Sequence, residues 1–188
     1  MRVKNAILLV DDEANVTAAL KRALMDEDVD IHTADSGEAG LEKMGTEWFK
    51  VVISDERMPG MGGAEFLSLV KERYPETLRM MLTGHASIES TIKAVNSGEI
   101  YRFFTKPWND FDLIVAIRSA IEKFDLEAEN RRLLKTVRRQ ATELKTLETL
   151  YPGITSIERD DQGHLMITEV SEEELQDIIS QCCREFTP

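Results

Sequence analysis

The chain has 188 residues, 42% hydrophobic and 31% charged, which is typical of a soluble globular protein with room for one ordinary domain and an appendage. A formal net charge of -12 argues against direct nucleic-acid binding, because a polyanion repels an acidic surface. No apolar run approaches the roughly 20 residues of a membrane span, and the N-terminal sequence does not resemble a signal peptide. The two cysteines, Cys182 and Cys183, are adjacent and poorly placed to form a disulfide with each other, which fits a reducing cytoplasm.

Five short apolar segments alternate with amphipathic ones up to about residue 124. The first, AILLV, is followed by apolar residues at spacings of three and four, which is the pattern of a helix packed on a sheet. This alternation predicts parallel β-α-β units in a doubly wound α/β fold, with the flavodoxin-like strand order 2-1-3-4-5. The predicted strands are residues 6–10, 29–34, 51–53, 79–83 and 100–105.

Capping and breaking residues indicate where the intervening helices begin and end. Ser36 occupies the N-cap position of the second helix. Pro75 ends the third, because the residue before a proline disfavours helical backbone. The predicted helices are residues 11–25, a segment beginning after Ser36, residues 63–74 and a segment beginning at Ser87 and ending at residues 96–98.

Polar side chains stand at the carboxyl ends of four of the predicted strands. Asp11 and Asp12 follow the first strand, and Asp55 follows the third. Thr83 ends the fourth strand, and Lys106 follows the fifth. Doubly wound sheets bind their ligands at this edge, where the chain order reverses. We therefore expect these five residues, which are distant in sequence, to converge on one site.

Three carboxylates packed together repel one another unless a cation lies between them. Mg²⁺ prefers oxygen ligands and also engages phosphate. A hydroxyl, an ammonium group and Mg²⁺ around a carboxylate are the groups needed to transfer a phosphoryl group onto that carboxylate. Singly, each residue also has an ordinary interpretation, as a helix N-terminal acid, a turn cap or a surface lysine. The combination favours phosphoryl transfer.

Four sequence blocks, LLVDDE, ISDERMPGMGG, MLTGHAS and FFTKPW, carry a family resemblance. In content and spacing they resemble the receiver domain of bacterial two-component response regulators, over about residues 4–124. The resemblance implies that Asp55 accepts a phosphoryl group from a sensor histidine kinase or a phosphotransfer protein. It also implies no enzymatic activity beyond self-catalysed phosphotransfer and dephosphorylation.

The resemblance further implies a set of Mg²⁺ ligands. Asp12 and Asp55 would bind the ion directly, and Asp11 would bind it through water. The remaining protein ligand would be the backbone carbonyl of Arg57.

A phosphoryl-binding pair and a switch pair are also implied. Thr83 and Lys106 would contact the phosphoryl oxygens. Thr83 and Phe103 would form the switch, in which the ring turns inward when the threonine moves; here the aromatic residue has no hydroxyl. Arg57 and His85 lie where the family varies its dephosphorylation rate.

The segment after the receiver region predicts a helix of roughly 40 residues, too long for a globular packing partner alone. Apolar residues at alternating spacings of four and three form a heptad seam, with an asparagine and a glutamine in it. This pattern favours a parallel coiled-coil homodimer through residues 126–151. The alternative is an amphipathic helix that folds back on the C-terminal unit of the same chain. The seam consists of Leu126, Asn130, Leu133, Val137, Gln140, Leu144, Leu147 and Tyr151.

We predict three regions: a receiver domain at residues 1–124, a helical coiled-coil extension at 125–151, and a small ββα unit at 152–188. The predicted function is a cytoplasmic phosphorylation-switched response regulator that signals to a protein target. One alternative is the receiver and linker portion of a regulated output enzyme, such as a cyclic-di-GMP phosphodiesterase. Another is a stand-alone phosphatase with an aspartyl nucleophile. That class would carry its nucleophile in an Asp-x-Asp motif after the first strand, where this chain has Asp11-Asp12.

Overall fold

The computed structural model describes residues 5–84 and 100–151. Within them lie five strands: β1 (Ala6–Val10), β2 (Asp30–Ala34), β3 (Val51–Asp55), β4 (Leu78–Thr83) and β5 (Arg102–Thr105). They form one parallel sheet in the order β2-β1-β3-β4-β5. The predicted doubly wound, flavodoxin-like α/β fold and its strand order are thereby confirmed.

Both faces of the sheet are covered by helices, so the three central strands, β1, β3 and β4, are buried along nearly their whole length. The edge strands β2 and β5 are only partly buried. Each fully buried aliphatic or aromatic side chain contributes about 2 kcal/mol to folding. The helices within the described residues are α1 (Ala14–Ala23), α2 (Gly37–Thr46), α3 (Gly63–Arg73) and α4 (Asp110–Leu150). Helices α1 and α4 pack on one face and helices α2 and α3 on the other.

Helix α1 begins three residues later than the sequence predicts. The Asp11 carboxylate accepts a hydrogen bond of 2.9 Å from the Glu13 backbone amide. Glu13 is itself extended, with φ -89° and ψ 104°, and is the N-cap residue of α1. The acidic residues therefore belong to the loop after β1 and not to the first turn of the helix, and this leaves Asp11 at the sheet edge.

The other helix boundaries follow the capping argument. The Ser36 hydroxyl accepts a hydrogen bond from the Ala39 amide, as an N-cap residue does. Helix α3 ends at Arg73, two residues before Pro75. The helix predicted from Ser87 and the ββα unit predicted at 152–188 lie outside the described residues.

Helix α4 is 41 residues long, as the uninterrupted pattern predicts. Its first four turns pack into the core, ending with Phe124. At Asp125 it is bound to the start of β3 by Lys50, whose side chain is only 3% exposed and whose Nζ lies 2.5 Å from the carboxylate. Arg131 pairs with Glu76 at 3.1 Å. These ion pairs continue the attachment of the helix beyond its buried turns.

The chain divides into two units, Met1–Arg132 and Leu133–Pro188. The second is described here by its helical residues alone, and many of its large apolar side chains are exposed to solvent. None of the helices within residues 5–84 and 100–151 has the length and apolar character of a membrane span. Within residues 133–151, the exposed large apolar residues are Leu133, Leu134, Val137, Leu144, Leu147, Leu150 and Tyr151.

Candidate functional site

Three of the predicted site residues meet at the carboxyl edge of the sheet. The side chain of Lys106 reaches back from the end of β5, and its Nζ lies 2.5 Å from Asp55 Oδ1 and 2.9 Å from Asp11 Oδ2. Asp55 is 7% exposed and Asp11 2%. Two carboxylates and one ammonium group thus form a single, largely buried cluster, as the strand order predicts.

The second oxygen of Asp55 is also held. Asp55 Oδ2 accepts a hydrogen bond of 2.8 Å from the backbone amide of Arg57. The preceding residues of β3 are completely buried between β1 and β4, so the backbone that carries the Asp55 side chain is tightly packed. On the loop side, Gly63 donates its amide to the Glu56 carbonyl at 2.9 Å. The start of α3 therefore lies directly against the Asp55 loop.

Burial and charge pairing have opposite effects on the pKa values of the groups in this cluster. Burial raises the pKa of Asp11, and the hydrogen bonds from Lys106 and the Glu13 amide offset that effect only in part. Burial alone would lower the pKa of Lys106, but its hydrogen bonds to Asp55 and Asp11 outweigh burial and raise it. Lys106 is therefore a firmly held cation, whereas the carboxylate charge at Asp11 is only partly compensated.

Thr83 makes a contact that the sequence does not predict. The threonine is fully buried, and its hydroxyl donates to Glu56 Oε2 at 2.5 Å, with the Gly84 carbonyl at 3.0 Å as a second acceptor. The sequence analysis assigned no role to Glu56. Its one sequence signal was its position directly after Asp55, at the end of a buried strand.

The other predicted residues within the described part of the chain, Asp12, Arg57 and Phe103, differ in their burial. Asp12 and Arg57 are exposed, and Phe103 is half-buried against the core that packs under α2 and α3. His85 lies outside the described residues. Across residues 5–84 and 100–151, no three acidic, histidine or cysteine side chains stand close enough to form a metal-binding group. Asp12 would have to turn inward to join Asp11 and Asp55.

Comparison with known proteins places the chain in a family. The family model of the response regulator receiver domain matches residues 7–118. The hydrogenase transcriptional regulatory protein HoxA of Cupriavidus necator is 37% identical over 127 residues, which are 68% of this chain and 26% of HoxA. The chain thus spans about a quarter of the length of that relative.

Two solved structures have the same fold over most of the described residues. A structure described as adenylate cyclase from Rhodopirellula baltica has a TM-score of 0.67 and 34% identity, over 71% of this chain and 98% of that one. The signal receiver domain of an HD domain-containing protein from Pseudomonas fluorescens Pf-5 has a TM-score of 0.63 and 33% identity, over 69% and 98%. Receiver domains are phosphorylated by histidine kinases and generally bind Mg²⁺ for that reaction. The family model matches more than half of the chain, and the strand order and the acidic residues at the carboxyl ends of the strands agree with it. The chain belongs to the receiver domain family of two-component response regulators.

Proposed function

We propose that this chain is a cytoplasmic response regulator in which Asp55 accepts a phosphoryl group from a histidine kinase or a phosphotransfer protein. The observation that carries the proposal is the carboxylate of Asp55 itself, buried at the end of β3 and held by Lys106 and the Arg57 amide. An Asp55 oxygen attacks phosphorus, the bond from phosphorus to the donor breaks, and an acyl phosphate forms. Lys106 neutralises negative charge as the phosphoryl group arrives.

The residues present also fit Mg²⁺, because the donor set consists of oxygens. Oxygens of Asp11 and Asp55 lie close enough together to contact the same Lys106 Nζ. Burial of Asp11 leaves its charge only partly offset, and a second cation would compensate it. Asp11, Asp12, Asp55 and the Arg57 carbonyl would hold the ion, which supplies charge neutralisation and orientation of the phosphoryl oxygens when bound.

Phosphorylation would change the face of the sheet formed by β4 and β5. The modification adds about two negative charges and three strong acceptor oxygens. We propose that Thr83 and Lys106 bind those oxygens, and that the movement of Thr83 gives the ring of Phe103 room to turn inward. The two strands are adjacent, with Met81 paired to Phe103 and Thr83 paired to Thr105, so a shift in one directly affects the other.

Incubation with acetyl phosphate and Mg²⁺ tests the reaction without a kinase. Intact-protein mass spectrometry is expected to show one phosphoryl group per chain, lost on treatment with hydroxylamine, because hydroxylamine cleaves acyl phosphates. A chelator added before acetyl phosphate is expected to prevent the modification. A phosphoryl group that resists hydroxylamine would contradict an aspartyl phosphate.

We also propose that residues 126–151 of α4 form a coiled coil with a second copy of the chain. The seam predicted from the heptad spacing runs through side chains that are exposed in the single chain, with Val137 59% exposed near its middle. Burying such a stripe against an identical one removes apolar surface from water, and Asn130 within the seam favours a parallel dimer. Residues 1–124 would then act as the receiver and 125–151 as the dimerisation segment.

Val137→Glu is expected to convert the dimer into a monomer, because it places a charge from each chain in the centre of the seam. Light scattering with and without beryllofluoride, a phosphoryl mimic, measures the mass in both states. The matched control is Thr142→Glu, which adds the same charge at an exposed position outside the seam and should leave the mass unchanged. A wild-type monomer in both states would refute the coiled-coil dimer.

A second candidate function is suggested by the names of similar proteins. HoxA is named a transcriptional regulatory protein, and one matching receiver belongs to an HD domain-containing protein. We propose as the alternative that this chain is the receiver and linker of a regulated output protein, for example a cyclic-di-GMP phosphodiesterase. The coding sequence after Pro188 tests this directly: a continuing reading frame with a catalytic domain favours the alternative, and a stop codon favours signalling through a separate protein target.

A further inference from the structure

The Glu56 carboxylate accepts the hydrogen bond that the Thr83 hydroxyl would otherwise donate to a phosphoryl group on Asp55. Its Oε2 lies 2.5 Å from Thr83 Oγ1, and Thr83 is fully buried at the end of β4. The Glu56 backbone is fixed on both sides, since its amide donates to Leu82 and its carbonyl accepts from Gly63, each at 2.9 Å. The contact therefore joins two residues with well-held backbones.

A hydroxyl group has a single proton to donate. The acceptors now within reach of Thr83 are the Glu56 carboxylate and the Gly84 carbonyl, and a charged acceptor forms the stronger hydrogen bond. A phosphoryl group on Asp55 would compete for the same proton. Glu56 also places a negative charge beside the site that a dianionic phosphoryl group must enter, and like charges there oppose its arrival.

We propose that Glu56 is a positioning residue that holds Thr83 in its unphosphorylated place and so opposes phosphorylation of Asp55. This rests on the proposed function, because it takes Asp55 as the acceptor and Thr83 as a phosphoryl ligand. Formation of the phosphorylated state requires the Glu56–Thr83 hydrogen bond to break. Removing the Glu56 carboxylate stabilises the phosphorylated state relative to the unphosphorylated one.

A double-mutant cycle measures this coupling. The apparent dissociation constant for beryllofluoride with Mg²⁺ is determined for the wild type, Glu56→Ala, Thr83→Ala and the double variant. Glu56→Ala is expected to tighten binding roughly tenfold, the effect of one hydrogen bond to a charged group. In the Thr83→Ala background the same substitution should have a clearly smaller effect, because only the repulsion by the Glu56 charge remains to be removed.

Two further variants separate the hydrogen bond from charge and folding. Glu56→Gln keeps a carbonyl acceptor without the charge and should lie between the wild type and Glu56→Ala. Glu65→Ala removes an exposed acid from the first turn of α3 and should leave binding unchanged. In the free protein, without Mg²⁺ or beryllofluoride, the NMR signal of the Thr83 methyl group should shift in Glu56→Ala and remain in place in Glu65→Ala.

Two outcomes would overturn the inference while leaving the proposed function intact. One is wild-type binding of beryllofluoride that Glu56→Ala does not tighten. The other is equal tightening in the presence and absence of the Thr83 hydroxyl, which would mean that charge alone is responsible. If the wild type itself neither bound beryllofluoride nor took up phosphate, the proposed function would fail, and the inference with it.

Discussion

Asp55→Asn is expected to abolish phosphate uptake from acetyl phosphate in the presence of Mg²⁺. The amide has almost the shape of the carboxylate, so the fold should persist, but its neutral oxygen is a poor nucleophile for phosphorus. The substitution also removes the negative charge that holds Lys106 at 2.5 Å. Intact-protein mass spectrometry over a time course measures the uptake.

Asp112→Asn is the matched control for that experiment. Asp112 is an exposed acid in the first turn of α4, outside the cluster of Asp11, Asp55 and Lys106. Its replacement removes the same charge and should leave the rate of uptake unchanged. An Asp55→Asn variant that takes up phosphate as fast as this control would show that the acceptor has been assigned to the wrong residue.

Gly63→Ala is expected to destabilise the protein by about 3 kcal/mol. A Cβ atom at Gly63 would lie 1.9 Å from the Asp55 carbonyl oxygen and 3.0 Å from the Glu56 Cα. Both neighbours are backbone atoms at the site, so relief requires the start of α3 to move away from the Asp55 loop. Urea unfolding measures the change in the free energy of unfolding, and phosphate uptake should fall with it because Asp55 is displaced.

Gly45→Ala provides the control for the effect of an added methyl group. Gly45 lies near the end of α2, and a Cβ atom there would have no neighbour within 4 Å. Alanine favours helix over glycine by about 1 kcal/mol, so this variant should be as stable as the wild type or slightly more so. Equal free energies of unfolding for the two variants would contradict the close packing of α3 against the Asp55 loop.

Much of the fold could be predicted because burial on both faces leaves a direct trace in the sequence. Strands such as AILLV and VVI are continuous apolar runs, and their order follows from the alternation with helices. The convergence of Asp55, Asp11 and Lys106 could be predicted for the same reason. Carboxyl ends of parallel strands share one edge, whatever their separation along the chain.

Contacts that depend on the direction of a single side chain were not predictable. Glu56 is a loop acid by sequence, and only the tertiary placement of β4 brings Thr83 to its carboxylate. Lys50 precedes β3 like any polar flanking residue, yet it is buried and paired with Asp125, 75 positions away. No periodicity encodes such a pair, because it depends on where α4 crosses the end of the sheet.

The start of α1 was mispredicted for a local reason. Acids before an apolar periodic segment usually belong to the first turn of a helix, where they interact favourably with its dipole. Here Asp11 is drawn to Lys106 and to the Glu13 amide, so the chain stays extended through Glu13. The contacts of Asp11 thus accompany the later helix start, and they place Asp11 in the loop at the sheet edge instead of in the first turn of α1.

Chemical mapping of the phosphorylated residue tests the central claim most directly. The protein is treated with acetyl phosphate and Mg²⁺, reduced with borohydride and digested, and the peptides are sequenced by mass spectrometry. Borohydride converts an aspartyl phosphate to homoserine, so the peptide containing ISDERM should carry homoserine at position 55. Homoserine at Asp11 or Asp12, or a phosphoryl group on any other residue with Asp55 unchanged, would contradict the assignment of Asp55 as the phosphoacceptor.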